Sequence, residues 1–348
     1  MGADALLFRT PLYPSYLEPD SSTGVFEMTL RRELEAQSQV GDNLVVTLGD
    51  SRFGYHPRLA NQLTGETGYV FRTAGAAGSD ARGWYYMMRD LDPTARRYRA
   101  IVIGMNDYDD EDGSYDQADD TRALHYVIAR LRWSDVLQFT ASFHDIRARW
   151  EVFRGSILKG IVYQSDLLAF LSHPRKRIDY VHLSRRGYAQ WTHDYEESPR
   201  SMTGLQVDWV AWTATFPPGA DQIQVQTVKD FLMYKPYAQN GWTAAYRRLW
   251  FGRLLDRYRD SPTRIIFLRL PRGPVVRPAD LVHKKSSSIR ELASQPGVTL
   301  IDEHAFDSLE HPELFKDGLH LNREGVARFS AMMAREVAKT LRGGNGAL

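Results

Sequence analysis

The chain contains no cysteine, which excludes disulfides, thiolate metal sites and cysteine nucleophiles together. It also lacks any apolar run near the roughly 18 residues that a membrane-spanning helix needs. Close to its start only Leu6-Leu7-Phe8 is apolar, too short for the core of a signal peptide. Neither sign of charge prevails, since 44 Lys and Arg stand against 43 Asp and Glu for a net charge of +1. That balance gives no electrostatic case for nucleic acid or an anionic membrane as partner. The zinc pattern His-Glu-x-x-His and the dinucleotide pattern Gly-x-Gly-x-x-Gly are both missing. Neither a metal nor a cofactor is therefore expected.

What remains is an ordinary globular composition, 43% hydrophobic and 25% charged over 348 residues, enough chain for a sizeable core. Eight Trp and eighteen Tyr suit such a core first, and carbohydrate stacking second. The absence of cysteine fits a periplasmic or extracellular protein as well as a cytosolic one. A periplasmic or extracellular setting is the favoured expectation, with an anchoring segment ahead of residue 1 as one form of it.

The apolar, β-branched run Asn43 to Leu48, bounded by Gly41-Asp42 and Gly49-Asp50, reads as a buried parallel strand. Ahead of it, Gly24 to Gln39 has the spacing of a helix, with Phe26, Leu30 and Leu34 on one face. Strands are expected at Tyr69 to Thr73 and Ala100 to Gly104. A helix between them, Ser79 to Leu91, should be stopped by Asp92-Pro93. This alternation argues for βαβ units and a parallel α/β sheet. Ser51 to Gly78 is 27 residues and Gly78 to Asn106 is 28, each the length of one βα unit. Further strands are expected at Arg264 to Leu270 and Val298 to Asp302, and a final helix at Asn322 to Leu341.

Residues 110–262 are too many for a loop and read as a mainly helical insertion or cap within a single domain spanning 1–348. A helix is expected over Thr121 to Arg132, more helix through Leu171, and a stop at Pro174-Arg175-Lys176-Arg177, which reads as a surface turn. Ser184 to Pro218 reads as irregular and Gly241 to Tyr258 as a helix, with a frayed tail from Gly343 to Gly346. The acidic stretch Asp107 to Asp120 reads as a solvated loop, since an EF-hand alignment on Gly113 puts Tyr108 at the first ligand position.

Four blocks carry chemistry. Ser51 follows Gly49-Asp50 at a strand end, where it is exposed and where the N-terminus of a following helix offers N–H groups to an oxyanion. A helix cap or turn residue is the alternative reading. Gly75 and Gly78 follow the second strand, where a glycine lets the backbone come close to a substrate. Asn106 follows the third strand in Gly104-Met105-Asn106-Asp107, and its neutral amide suits an oxyanion donor. Asp317 and His320, three apart in a loop before a helix, suit an orienting carboxylate on Nδ1 that leaves Nε2 free as base. Asp302 with His304 and Asp307 with His311 compete, and both rank below His320 for want of that loop-to-helix setting.

These blocks, in this order, resemble the SGNH subgroup of the GDSL-type hydrolases. The resemblance covers Asn43 to Tyr108 and Arg264 to Leu341, with Gly104-Met105-Asn106-Asp107 fitting the family's Gly-x-Asn-Asp block in full. Arg52 replaces the leucine of Gly-Asp-Ser-Leu, and Thr73 replaces the asparagine of the family's glycine block. The resemblance implies a flavodoxin-like three-layer α/β/α sandwich. It further implies Ser51 as nucleophile, His320 as base, Asp317 as its orienter, and Ser51, Gly78 and Asn106 as oxyanion donors, with Asp50 structural. The expected activity is serine ester hydrolysis on an acylated small molecule or glycan, such as an acetylated carbohydrate. Transfer of the acetyl group to a surface polysaccharide is the alternative, and a catalytically silent glycan-binding protein is a third reading.

Overall fold

The apolar β-branched runs form strands where the carbonyl and N–H groups of one run meet those of the next. In the computed structural model, which describes residues 1–36, 43–54, 56–110, 119–188, 200–233, 242–278 and 286–343, the strands in chain order are β1 (Leu44–Leu48), β2 (Val70–Thr73), β3 (Ala100–Met105), β4 (Gln206–Asp208), β5 (Thr213–Thr215), β6 (Arg264–Arg269) and β7 (Val298–Leu300). β4 and β5 pair with each other as an antiparallel hairpin. The remaining five make one parallel sheet in the order β2-β1-β3-β6-β7. Counted among themselves these strands run 2-1-3-4-5, the order of flavodoxin-like doubly wound sheets. Every residue of β1 and β3 is buried, as a strand covered on both faces requires.

The described chain forms two compact units. One, built from Val40–Ala77, Thr94–Tyr115 and Thr192–Leu348, holds the sheet. Its strands alternate faces. Ile266 and Leu268 of β6 join Phe329, Met333 and Val337 of the final helix, Arg323–Gly343, in one core. Phe267, pointing the other way, meets Phe251 of the Trp242–Tyr258 helix edge-on at 5.3 Å. Helices thus cover both faces of the sheet, and the expected α/β/α layering holds.

The other unit, Met1–Gln39, Gly78–Pro93 and Asp116–Trp191, contains helices and no strand among its described residues. Its core joins Phe8, Tyr13 and Tyr163, with Phe8 and Tyr163 stacked at 5.0 Å. Of the stretch expected as an insertion, residues 116–191 belong here, and 110–115 and 192–262 to the sheet unit.

Three local expectations change. The helix expected over Thr121 to Arg132 is confined to Arg122–Val127. The preceding helix, Gln164–Ser172, ends ahead of Pro174 as expected, but Pro174 also opens a further helix, Pro174–Tyr188, because a proline at the first helical position lacks only an N–H that has no partner there anyway. Arg177, expected on a surface turn, is buried in ion pairs with Asp166 and, at 3.3 Å, Glu18. The tail beyond Gly343 lies outside the described residues.

Glycines bring the strand ends together. A Cβ on Gly75 would overlap the Gly49 carbonyl oxygen and lie 3.0 Å from Gly49 N. Gly75→Ala is therefore expected to lower unfolding free energy by about 1–3 kcal/mol, read from a urea denaturation curve.

Candidate active site

The end of β1 is shaped for a tight turn. Gly49 leaves room for the Phe53 ring, whose Cγ a Cβ there would approach to 2.9 Å, and Gly104 at the end of β3 leaves room for the same ring at 3.1 Å. Asp50 then folds the turn. Its Oδ1 accepts from Arg52 N at 2.8 Å, its carboxylate pairs with the Arg52 guanidinium at 2.8 Å, and its carbonyl accepts from Phe53 N at 3.1 Å. Ser51 rides on this turn. No helix begins at Ser51, contrary to one expectation, since the next helix is Pro57–Asn61. Both carboxylate oxygens of Asp50 are bonded to Arg52 within this turn.

The loop that carries Asp317 and His320 is closed by its own backbone. Phe315 and Leu321 form an antiparallel bridge, and Lys316 N donates to His320 O at 2.9 Å. Inside it, buried Asp317 accepts from Leu319 N and His320 N, both at 2.8 Å, which turns the chain back on itself. Asn322 then caps the final helix, its Oδ1 accepting from Gly325 N at 3.0 Å. A side chain on Gly325 would overlap the Leu314 carbonyl, so the helix can start only with glycine there.

This loop brings His320 to Ser51. His320 Nε2 lies 3.0 Å from Ser51 Oγ, and its Nδ1 lies 2.9 Å from Asp317 Oδ2 and 3.0 Å from Oδ1. With Nδ1–H donated to the carboxylate, Nε2 is left to accept from the Ser51 hydroxyl. Burial pushes the Asp317 carboxyl up. The hydrogen bond and charge of His320, with the N–H groups of Leu319 and His320, outweigh burial and hold it below the usual carboxylate value. Asp317 is thus ionised at neutral pH.

Asn106 stands at the neighbouring strand end. β1 and β3 pair in register with Leu48 opposite Ile103, and Ser51 and Asn106 each follow those partners by three residues. The two strands flank the point where the sheet order reverses, the crevice in which open α/β sheets bind ligands. The backbone behind Asn106 is firmly held. Tyr108 Oη donates to Ile301 O at 2.7 Å, and the Asp110 carboxylate accepts from Ser288 N at 2.8 Å. Asp107, Asp109 and Asp110 are buried, which corrects the reading of this acidic stretch as a solvated loop. Residues 111–118, where that reading and its calcium alternative continue, lie outside the described residues.

Gly78 belongs to the helical unit. Its φ of +72° favours glycine, and a Cβ there would lie 2.5 Å from Tyr126 Oη. It precedes Asp80, whose carboxylate caps the Ala81–Leu91 helix by accepting from Gly83 N at 2.9 Å. The hydrogen bonds joining Ser51, His320 and Asp317 lie wholly in the sheet unit. The competing histidines stay outside this arrangement. His304 is exposed and pairs through Nδ1 with Asp307 at 2.7 Å, while His311 is exposed.

Two side chains that matter to the base loop, Gln224 and Thr227, were not singled out from the sequence. Gln224 donates to Lys316 O at 2.7 Å, and Thr227 Oγ1 accepts from Gly318 N at 2.9 Å. Their one sequence signal is Asp221-x-x-Gln224, a helix capping box. Among the described residues, no three His, Asp or Glu side chains are grouped to hold a metal ion, and no helix is long and apolar enough to cross a membrane. Compared with known proteins, the chain matches no family model and no curated protein.

Proposed function

We propose that the chain is a serine acyl-ester enzyme of the SGNH type, acting on O-acyl esters of a carbohydrate, acetyl esters foremost. The observation that carries this reading is the unbroken relay Ser51 Oγ–His320 Nε2, His320 Nδ1–Asp317, at 3.0 and 2.9 Å, beside the switch point of the sheet. In the proposed reaction His320 Nε2 takes the hydroxyl proton as Ser51 Oγ bonds to the ester carbonyl carbon. The negative oxygen so formed is met by the Asn106 amide and the backbone N–H group of Ser51. Collapse breaks the bond to the alcohol oxygen, which leaves with the proton from Nε2. A water, deprotonated by the same nitrogen, then releases the acid and restores Ser51.

The carbohydrate part draws on the β4–β5 hairpin of the same unit. Trp209 and Trp212 lie in its turn with ring centroids 5.7 Å apart, both half-buried, and Val210 between them is fully exposed. Such rings offer flat apolar faces of the kind sugars stack on.

Release of p-nitrophenol from short acyl esters by the wild type and by Ser51→Ala tests the reaction. Mass spectrometry of an oligosaccharide acceptor tests whether the acyl group goes to water or to a sugar hydroxyl. Transfer outcompeting hydrolysis makes the protein an O-acetyltransferase, and sugar binding with neither activity sinks the enzyme reading. Asn106→Ala is expected to lower kcat by about 10²–10³-fold, the usual cost of one oxyanion donor, with little change in KM. Steady-state kinetics on the same ester check it.

A further inference from the structure

Residues 201–233 grip the loop that carries Asp317 and His320. Gly318 lies so close to this segment that a Cβ would fall 2.5 Å from the Thr227 carbonyl carbon and overlap Val228 N. Its N–H donates to Thr227 Oγ1 at 2.9 Å. The Thr227 hydroxyl hydrogen is directed to Ile223 O at 3.0 Å, which leaves an oxygen lone pair aimed at Gly318. On the other side of Asp317, the Lys316 carbonyl accepts from Gln224 Nε2 at 2.7 Å, and the Phe315 carbonyl accepts from Met202 N at 2.8 Å. Gln224 is buried, and its amide is fixed from its own helix: Oε1 accepts from Asp221 N at 3.0 Å while Asp221 Oδ1 accepts from Gln224 N at 2.9 Å. Backbone groups on both sides of Asp317 therefore end on side chains whose orientation is set elsewhere.

We propose that Gln224 and Thr227 are positioning residues for the Asp317–His320 pair, so that this segment holds the base in line with Ser51. The catalytic consequence rests on the acyl-transfer reading above. Neither side chain reaches the reacting atoms. They act through the loop, which is also held by its own bridge, by the Asp317 turn and by Met202 N on the Phe315 carbonyl. A displacement of about 1 Å at a reacting group costs on the order of 10²-fold in rate. Loosening one of two clamps is expected to cost about 10-fold or more in kcat while leaving KM near its wild-type value.

Three variants separate positioning from folding. Thr227→Val keeps the volume and removes the acceptor for Gly318 N–H. Gln224→Glu keeps an oxygen for Asp221 N–H and cannot donate to Lys316 O when ionised. Thr227→Ser keeps the hydroxyl and is expected to restore kcat to near wild type. The first readout is kcat and KM on the acyl ester, with circular dichroism confirming folded protein. The second is the downfield proton resonance of His320 Nδ1–H, assigned by its loss in His320→Ala. It should weaken or move upfield in Thr227→Val and Gln224→Glu and persist in Thr227→Ser. Wild-type kcat and an unchanged resonance in both Thr227→Val and Gln224→Glu overturn the proposal, as does a Thr227→Ser variant no better than Thr227→Val. If the wild type shows no Ser51-dependent turnover, the acyl-transfer reading fails separately. The resonance then decides alone, its perturbation upholding the clamp and its constancy refuting it.

Discussion

Ser51→Ala is expected to lower kcat on a short acyl ester by about 10⁶-fold, and His320→Ala by a similar factor. In the proposed reaction Oγ and Nε2, 3.0 Å apart, act as one unit: without the base the hydroxyl is a weak nucleophile, and without the hydroxyl the base has nothing to activate. The double variant Ser51→Ala/His320→Ala should accordingly be no slower than either single one. Residual turnover, on the order of 10³-fold over water, is what oxyanion donors and substrate binding supply alone. Measured rates for the three variants settle the matter. A double variant whose losses multiply would separate the two residues into independent roles, and full activity of Ser51→Ala would remove the nucleophile.

Asp317→Asn is expected to cost about 10⁴-fold in kcat with KM nearly unchanged. An amide presents N–H to Nδ1 where the carboxylate presented oxygen. The imidazole then keeps its proton on Nε2, facing Ser51, and cannot accept the hydroxyl proton. The same substitution has a signature in stability. The folded-state pKa of Asp317 is depressed, so its ionised form stabilises the native state. That contribution is fully present above the ordinary carboxylate value near 3.8 and is lost as pH falls through the lower folded value. The stability gap between wild type and Asp317→Asn, from urea curves at several pH values, should be largest near neutrality and shrink below about pH 4. A gap that does not change with pH would argue that the carboxylate is not ionised against His320.

Much of the sheet was legible because a β-branched run bounded by glycine and aspartate leaves the backbone few alternatives. β1, β3 and β6 fall within a residue of where pattern places them. The loop with Asp317 and His320 was legible for a similar reason, since three-residue separation lets a carboxylate reach back to its own turn. Elsewhere local pattern misled. Proline both ends and begins helices: one helix ends at Ser172 ahead of Pro174 and another begins with it, and Arg177 in that second helix is buried against Asp166 and Glu18. Asp109 and Asp110 look solvated in a run of acidic residues. Their partners, Arg247, Ser288 and Arg290, come from chain more than 130 positions away. Gln224 and Thr227 were invisible as site residues because what they touch lies 91 or 92 positions away.

The sequence by itself determined which segments become strands and which residue types stand at their ends. It also determined the pairing of Asp317 with His320, since short-range sterics and turn hydrogen bonds decide those matters among near neighbours. Only the tertiary structure decided that β1 lies between β2 and β3, so that Ser51 and Asn106 leave adjacent strands at the point of reversal. It alone decided that the Ser51 hydroxyl meets an imidazole 269 positions away, with residues 201–233 closing on the far side of that imidazole's loop. Contacts at such separation depend on how whole faces of the sheet and its helices bury one another, and no local pattern encodes that choice.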